Sequence, residues 1–203
     1  MSFEIIIALI AIAAYLLGSV SFAIVVSKIR GLKDPRTYGS HNPGATNVLR
    51  SGDKAAAAFT LLGDAAKGWV GVVAAQMVAQ RVLPPEWFAI AASVAAFAVF
   101  LGHLFPVFFK FQGGKGVATA LGLLLALDPV LGLLTAVVWL VMVRVSRISS
   151  LGALTAASAA PLITLWRHDL TIMFWAVLGI AVLLIYRHKQ NITQLITGKE
   201  KRF

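Results

Sequence analysis

The chain has 203 residues, of which 59% are hydrophobic, against roughly 45–50% in an ordinary globular protein, so an ordinary soluble fold is excluded. Only 13% are charged, yet 18 Lys plus Arg stand against 8 Asp plus Glu for a net charge of +10; such a balance suits nucleic acid or an anionic membrane surface, and the apolar content favours the membrane. There is no cysteine, which excludes disulfides, thiolate nucleophiles and cysteine-ligated zinc.

The first predicted element is the uncharged run Ile5 to Ser27, 23 residues long, above the ~20 needed to cross a bilayer. No basic segment precedes it and Lys28 and Arg30 follow it, so a retained span is expected rather than a cleaved signal. The loop after it reads Tyr38-Gly39-Ser40-His41-Asn42-Pro43-Gly44-Ala45-Thr46-Asn47, with Arg50 beyond. Small residues let backbone approach a ligand, hydroxyls and amides donate to phosphate oxygens, and an arginine makes bidentate contacts. On residue types alone, an ordinary polar turn is the alternative.

Residues 55–80 are predicted as the second span, with Asp64 and Lys67 three positions apart on one face. Ionisable groups within a span are costly, so these are expected to face the protein interior, as a neutralising pair or toward substrate. A third span over 87–102 leads into His103, then Phe105-Pro106-Val107-Phe108-Phe109 and the glycine-rich Gly113-Gly114-Lys115-Gly116-Val117-Ala118-Thr119. Glycines around a lysine just before a helix suit an anion cradle. It is not a Walker A loop, because Gly116 follows Lys115 where Ser or Thr would stand.

Residues 117–143 are interrupted only by Asp128-Pro129, and the distribution of positive charge decides between one span and two. Split into 117–127 and 130–143, the chain carries 15 Lys plus Arg in the loops of one side, against Arg81 and Arg167 on the other. Unsplit, the tally is 9 against 8, no bias at all. The remaining spans are 151–166 and 170–186. The expectation is therefore an all-α polytopic membrane protein with seven spans, N-terminus outside and C-terminus cytoplasmic, forming a single membrane domain over 1–203. Several spans are short, so some cytoplasmic loops must dip into the membrane where protein covers them. Arg144, Arg147, Ser149 and Ser150 follow the fifth span; Arg187, His188, Lys189 and Asn191 follow the seventh, with Arg187 and Asn191 on one face if the helix continues.

These motifs, in this order, closely resemble the PlsY family of bacterial membrane acyltransferases. The resemblance runs end to end: Leu17-Gly18-Ser19, the 39–47 loop, Asp64 with Lys67-Gly68, Gly102-His103, the 113–119 loop, Ser150-Leu151, Arg187-His188 with Asn191, and the tail Gly198-Lys199-Glu200-Lys201-Arg202. It implies acyl transfer from acyl phosphate to the 1-hydroxyl of glycerol 3-phosphate at the cytoplasmic face of the bacterial inner membrane, giving lysophosphatidate for phospholipid synthesis. It implies His188, Asn191 and Ser40 as catalytic, and Ser40, Asn42, Thr46, Asn47, Arg50, Gly113, Gly114, Lys115, Gly116, Ser150 and Arg187 as substrate- or phosphate-binding. Asp64, Lys67 and His103 would support them. Neither cofactor nor metal is implied, and the partners would be the two substrates and membrane lipids, with no nucleic acid and no obligate protein partner. His41 stands where the family commonly has glycine, and Ser149 beside Ser150 leaves two hydroxyls for one role. The His-x-x-x-x-Asp pair of the soluble-facing acyltransferases of the same pathway is absent, so the base would be His188 or the donor's own phosphate. An organic-phosphate transporter and a lipid-binding scaffold are the competing classes, although the outer loops carry almost no binding chemistry.

Overall fold

The computed structural model describes residues 2–202, which are helical with no strand among them. The first apolar run is interrupted where a continuous span is expected: α1 (Phe3–Gly18) stops at Ser19, and α2 (Phe22–Ile29) begins after Ser21. The break is satisfied from inside the bundle, as irregular backbone at membrane depth requires. The Ser19 hydroxyl donates to the Tyr15 carbonyl at 2.9 Å, and the Lys67 ammonium donates to the Val20 carbonyl at 2.6 Å.

A short helix, α3 (Ala45–Leu49), lies in the first loop, and α4 (Lys54–Val82) follows. Asp53 starts α4 by accepting from the Ala56 N–H at 2.9 Å, and it also pairs with Arg30 at 2.8 Å, satisfying one of the donors that a helix start leaves free. After one 3-10 turn, α5 (Phe88–Leu104) runs back, and a second such turn leads into the glycine-rich loop. The split at Asp128-Pro129 is present: α6 (Val117–Leu127) and α7 (Pro129–Ser146) are separate helices. Asp128 accepts from Val130 N–H at 2.8 Å and Leu131 N–H at 3.3 Å, while proline at the first position of α7 forgoes a donor that would be unused there.

The chain ends with α8 (Ser149–His168), α9 (Ile172–Arg187) and α10 (Lys189–Ile196). The helix does not continue through His188. It bends by 59° between α9 and α10, which separates Arg187 from the face of Asn191.

Seven spans are expected from sequence, and the structure has fewer helices that could each cross a membrane. Five are long and apolar enough to span, six if the bent α9–α10 pair is counted, and α6 has only 11 residues. In contrast, α7 and α8 reach 18 and 20 residues, because their helices extend into polar flanks that composition assigns to loops. Helices α4 and α6 cross closely: a Cβ on Gly68 would collide with the Thr119 carbonyl, and one on Gly122 with the Ala65 carbonyl. Small residues that admit backbone contact are what drives such crossings where lipid leaves no hydrophobic gain. Phe100, Leu104, Leu123, Leu131 and Val177 fill the core, while Leu61, Leu62, Leu133, Leu140 and Trp175 stay exposed on the apolar outside.

Candidate active site

A cavity of about 610 Å³ opens between α4, α6, α7, α8 and α9. Its mouth is polar and is built by residues of all four loops that carry the excess positive charge, including Ser40, Arg50, Lys115, Ser150, His188 and Lys201. Its inner part is lined by apolar side chains from Ala118, Leu121, Ala153, Ala157, Ile180 and Ala181, among others. Asp128 lies at the opposite end, where its carboxylate takes Arg167 at 2.7 Å and His168 at 2.6 Å.

The first loop is folded around Asn47, which is buried. Its Nδ2 donates to the Pro35 carbonyl at 2.7 Å and the Tyr38 carbonyl at 3.1 Å, while its Oδ1 accepts from Ser40 N–H at 3.0 Å and from Arg50 at 3.4 Å. All four hydrogen-bonding positions of the amide are thereby occupied, so Asn47 holds the loop and aims Ser40 and Arg50. Gly39 has φ +62° and no space for a side chain, since a Cβ would collide with Asn47 Oδ1. His41 is also left-handed, at φ 56°. That conformation suits glycine and costs another residue energy, which gives a physical reason for the glycine expected at this place. Ser40, Asn42, Thr46 and Arg50 line the cavity.

The glycine-rich loop packs differently from a simple cradle. The Gly114 N–H donates to the His103 carbonyl at 3.2 Å, and a Cβ on Gly113 or Gly114 would strike His103. Arg187 clamps the loop from behind, donating to the Gly114 carbonyl at 3.2 Å and the Gly113 carbonyl at 2.7 Å, with its guanidinium over the Phe105 ring. Arg187, Gly113 and Gly114, expected on the phosphate, therefore stand behind the wall that presents Lys115 and Gly116.

Lys115 donates to Asn191 Oδ1 at 2.5 Å, Asn191 Nδ2 donates to Glu200 Oε1 at 2.6 Å, and the Ser150 hydroxyl donates to the same oxygen at 2.6 Å. Burial pushes the Lys115 ammonium below its ordinary pKa, partly offset by the Glu200 carboxylate and reinforced by Arg50 and Arg187. Glu200 joins the cavity lining without being expected from sequence, because a lone carboxylate among Lys199, Lys201 and Arg202 reads as part of a solvated basic tail. Ser150 is buried and bonded, while Ser149 also lines the cavity. His188 is buried, and its Nδ1 lies 2.8 Å from the Leu184 carbonyl. A carbonyl only accepts, so Nδ1 carries the proton and Nε2 of the neutral ring is left as an acceptor.

Behind the mouth, Asp64 and Lys67 pair at 2.8 Å, with His103 Nδ1 3.6 Å from the same carboxylate. Asp64 and His103 reach the cavity lining; Lys67 faces the break in the first helix. Among the described residues no three His, Asp or Glu side chains cluster as a metal site would need.

Comparison with known proteins agrees with this architecture. The family model described as glycerol-3-phosphate acyltransferase matches residues 8–198. A glycerol-3-phosphate acyltransferase of Burkholderia pseudomallei (strain 1710b) is 57% identical over 194 residues, covering 94% of this chain and 92% of the relative. One from Cupriavidus pinatubonensis (strain JMP 134 / LMG 1197) is 56% identical over 195 residues, 96% of this chain and 95% of its own. The crystal structure of PlsY, an integral membrane glycerol 3-phosphate acyltransferase, in its glycerol 3-phosphate form superposes with a TM-score of 0.87 at 37% identity, covering 97% of this chain and 95% of that one. Its lysophosphatidic acid form gives 0.86 at 36%, with the same coverage.

Proposed function

Because the chain belongs to the glycerol-3-phosphate acyltransferase family of integral membrane enzymes, we propose that it moves a fatty acyl group from acyl phosphate to the 1-hydroxyl of glycerol 3-phosphate. The products are lysophosphatidate, for phospholipid synthesis, and inorganic phosphate. One observation carries this reading: a single cavity has a cationic, hydroxyl-rich mouth and an apolar interior, which suits two phosphates and one acyl chain.

The hydroxyl oxygen of glycerol 3-phosphate attacks the acyl carbonyl carbon, and the carbon–oxygen bond to phosphate breaks, the leaving phosphate taking the electron pair. Acyl phosphate is already an activated mixed anhydride, so positioning and charge stabilisation are the main demands. Arg50 and Lys115 hold phosphate, with Ser40, Asn42, Thr46 and the backbone at Gly116 as neutral donors. Asn191 and Ser150 are oriented by Glu200. His188 Nε2 takes the hydroxyl proton, or orients the hydroxyl while the leaving phosphate takes it. Asn47, Arg187, Gly113 and Gly114 hold the loops, and Asp64, Lys67 and His103 support the wall behind them.

The charge asymmetry supports the remaining topology: a single domain over 1–203 with its N-terminus outside, its C-terminus in the cytoplasm, and seven membrane segments counting the short α6. The mouth would then face the cytoplasm from the bacterial inner membrane, where a water-soluble phosphate can reach it while the donor's acyl chain lies in the apolar interior of the cavity. The test is an assay of purified protein with hexadecanoyl phosphate and glycerol 3-phosphate, followed by phosphate release. Release that needs both substrates is expected. Equal formation of lysophosphatidate from a thioester donor, measured on the lipid product, would overturn the choice of donor, and phosphate release without glycerol 3-phosphate would overturn acyl transfer.

A further inference from the structure

The inner part of the cavity has a defined depth. Counted along α8, the lining runs from Ser150 to Ala160, and along α9 from His188 back to Val177. At 1.5 Å per residue these are roughly 15 Å of groove. On four of the five surrounding helices the last lining residues are Leu124 of α6, Thr135 of α7, Ala160 of α8 and Val177 of α9, all buried. One turn beyond, Leu131 and Thr164 are fully buried and do not line the cavity. The end is fixed from outside, because Asp128 ties the α6–α7 turn to Arg167 and His168 of α8.

We propose that this floor, and Ala160 in particular, sets the length of acyl chain the enzyme prefers. The inference rests on the acyl-phosphate reading and deepens it by assigning chain selection to named residues. Ala160 is the smallest floor side chain, so enlarging it raises the floor with the least change elsewhere. Along α8 the lining residues Ala153, Ala157 and Ala160 stand at successive depths on one face. A larger side chain at each should therefore cut off the donor at a different length. Each methylene denied burial lowers affinity roughly fourfold, so two displaced methylenes amount to more than tenfold.

The experiment measures kcat/KM of wild type, Ala160→Leu and Ala157→Leu with octanoyl, dodecanoyl, hexadecanoyl and octadecanoyl phosphate at saturating glycerol 3-phosphate, with the folded state checked by thermal melting. Because a groove of roughly 15 Å ends near the tip of a dodecanoyl chain, the expected result is that Ala160→Leu lowers the ratio of dodecanoyl to octanoyl kcat/KM about tenfold or more, and that Ala157→Leu moves the cutoff to a shorter donor. An unchanged ratio in folded variants would overturn the proposal and place the chain's end in lipid, through the side of the groove where Leu61, Leu62 and Leu140 are exposed. Equal loss with every donor would also overturn it. Failure of wild type to use any acyl phosphate would instead overturn the donor reading.

Discussion

At the residue scale the site divides into groups that face the cavity and groups that hold those in place. His188 presents Nε2 because Nδ1 is tied to Leu184. Replacing it by alanine should lower kcat about 100- to 10,000-fold, the usual contribution of a positioned base, with little change in KM; near-normal turnover would leave the donor's phosphate as the proton acceptor. Lys115→Ala should raise KM for a phosphate substrate about 10- to 100-fold, as losing a charged hydrogen bond does. Since burial lowers the Lys115 pKa, its ammonium is lost at a lower pH than a free lysine's. KM should therefore climb as pH rises on the alkaline side, and Lys115→Arg, which stays charged, should flatten that climb in steady-state pH profiles. Sequence alone could name Ser40, Arg50 and Lys115, since their chemistry suits phosphate. It could not separate Arg187 from them: the same guanidinium serves a phosphate or two loop carbonyls equally well, and only packing selects the carbonyls.

At the element scale, charge counting found the break at Asp128-Pro129 because the two alternatives place whole loops on opposite sides. The break at Ser19–Ser21 leaves no such trace, because no charge changes side and the stabilising ammonium comes from Lys67, 47 positions away. The helix bend at His188 is hidden for a similar reason; nothing in Tyr186 to Asn191 forbids a continuous helix. Asp128 caps α7 and also binds Arg167 and His168. Asp128→Ala should lower stability by about 1–2 kcal/mol through the lost cap, read as a lower melting temperature in detergent. A bulkier change at the α4–α6 crossing, Gly122→Leu, should cost more, about 1–3 kcal/mol or above from overpacking against Ala65, and should also displace Lys115 at the start of α6.

For the whole molecule, one end gathers four basic loops around the cavity mouth, and the other carries, among the described residues, the Asp128 cluster, Arg81 and short turns. The absence of native cysteine makes the orientation directly measurable. A single cysteine at Arg81 should react with a membrane-impermeant reagent added outside intact cells, and one at Lys110 only after lysis; the reverse pattern would invert the proposed topology. Long-range assembly of this kind is legible in sequence as a bias of charge, whereas the depth of the groove depends on how alanine and leucine faces meet, which their order does not disclose. One consequence concerns handling the protein. Because Glu200 bonds Ser150 and Asn191 beside the cavity, the segment after α10 is part of the cavity wall. Anything inserted into Gly198 to Arg202 would pull on the very oxygen that holds those two side chains, so a purification handle should be kept out of that segment.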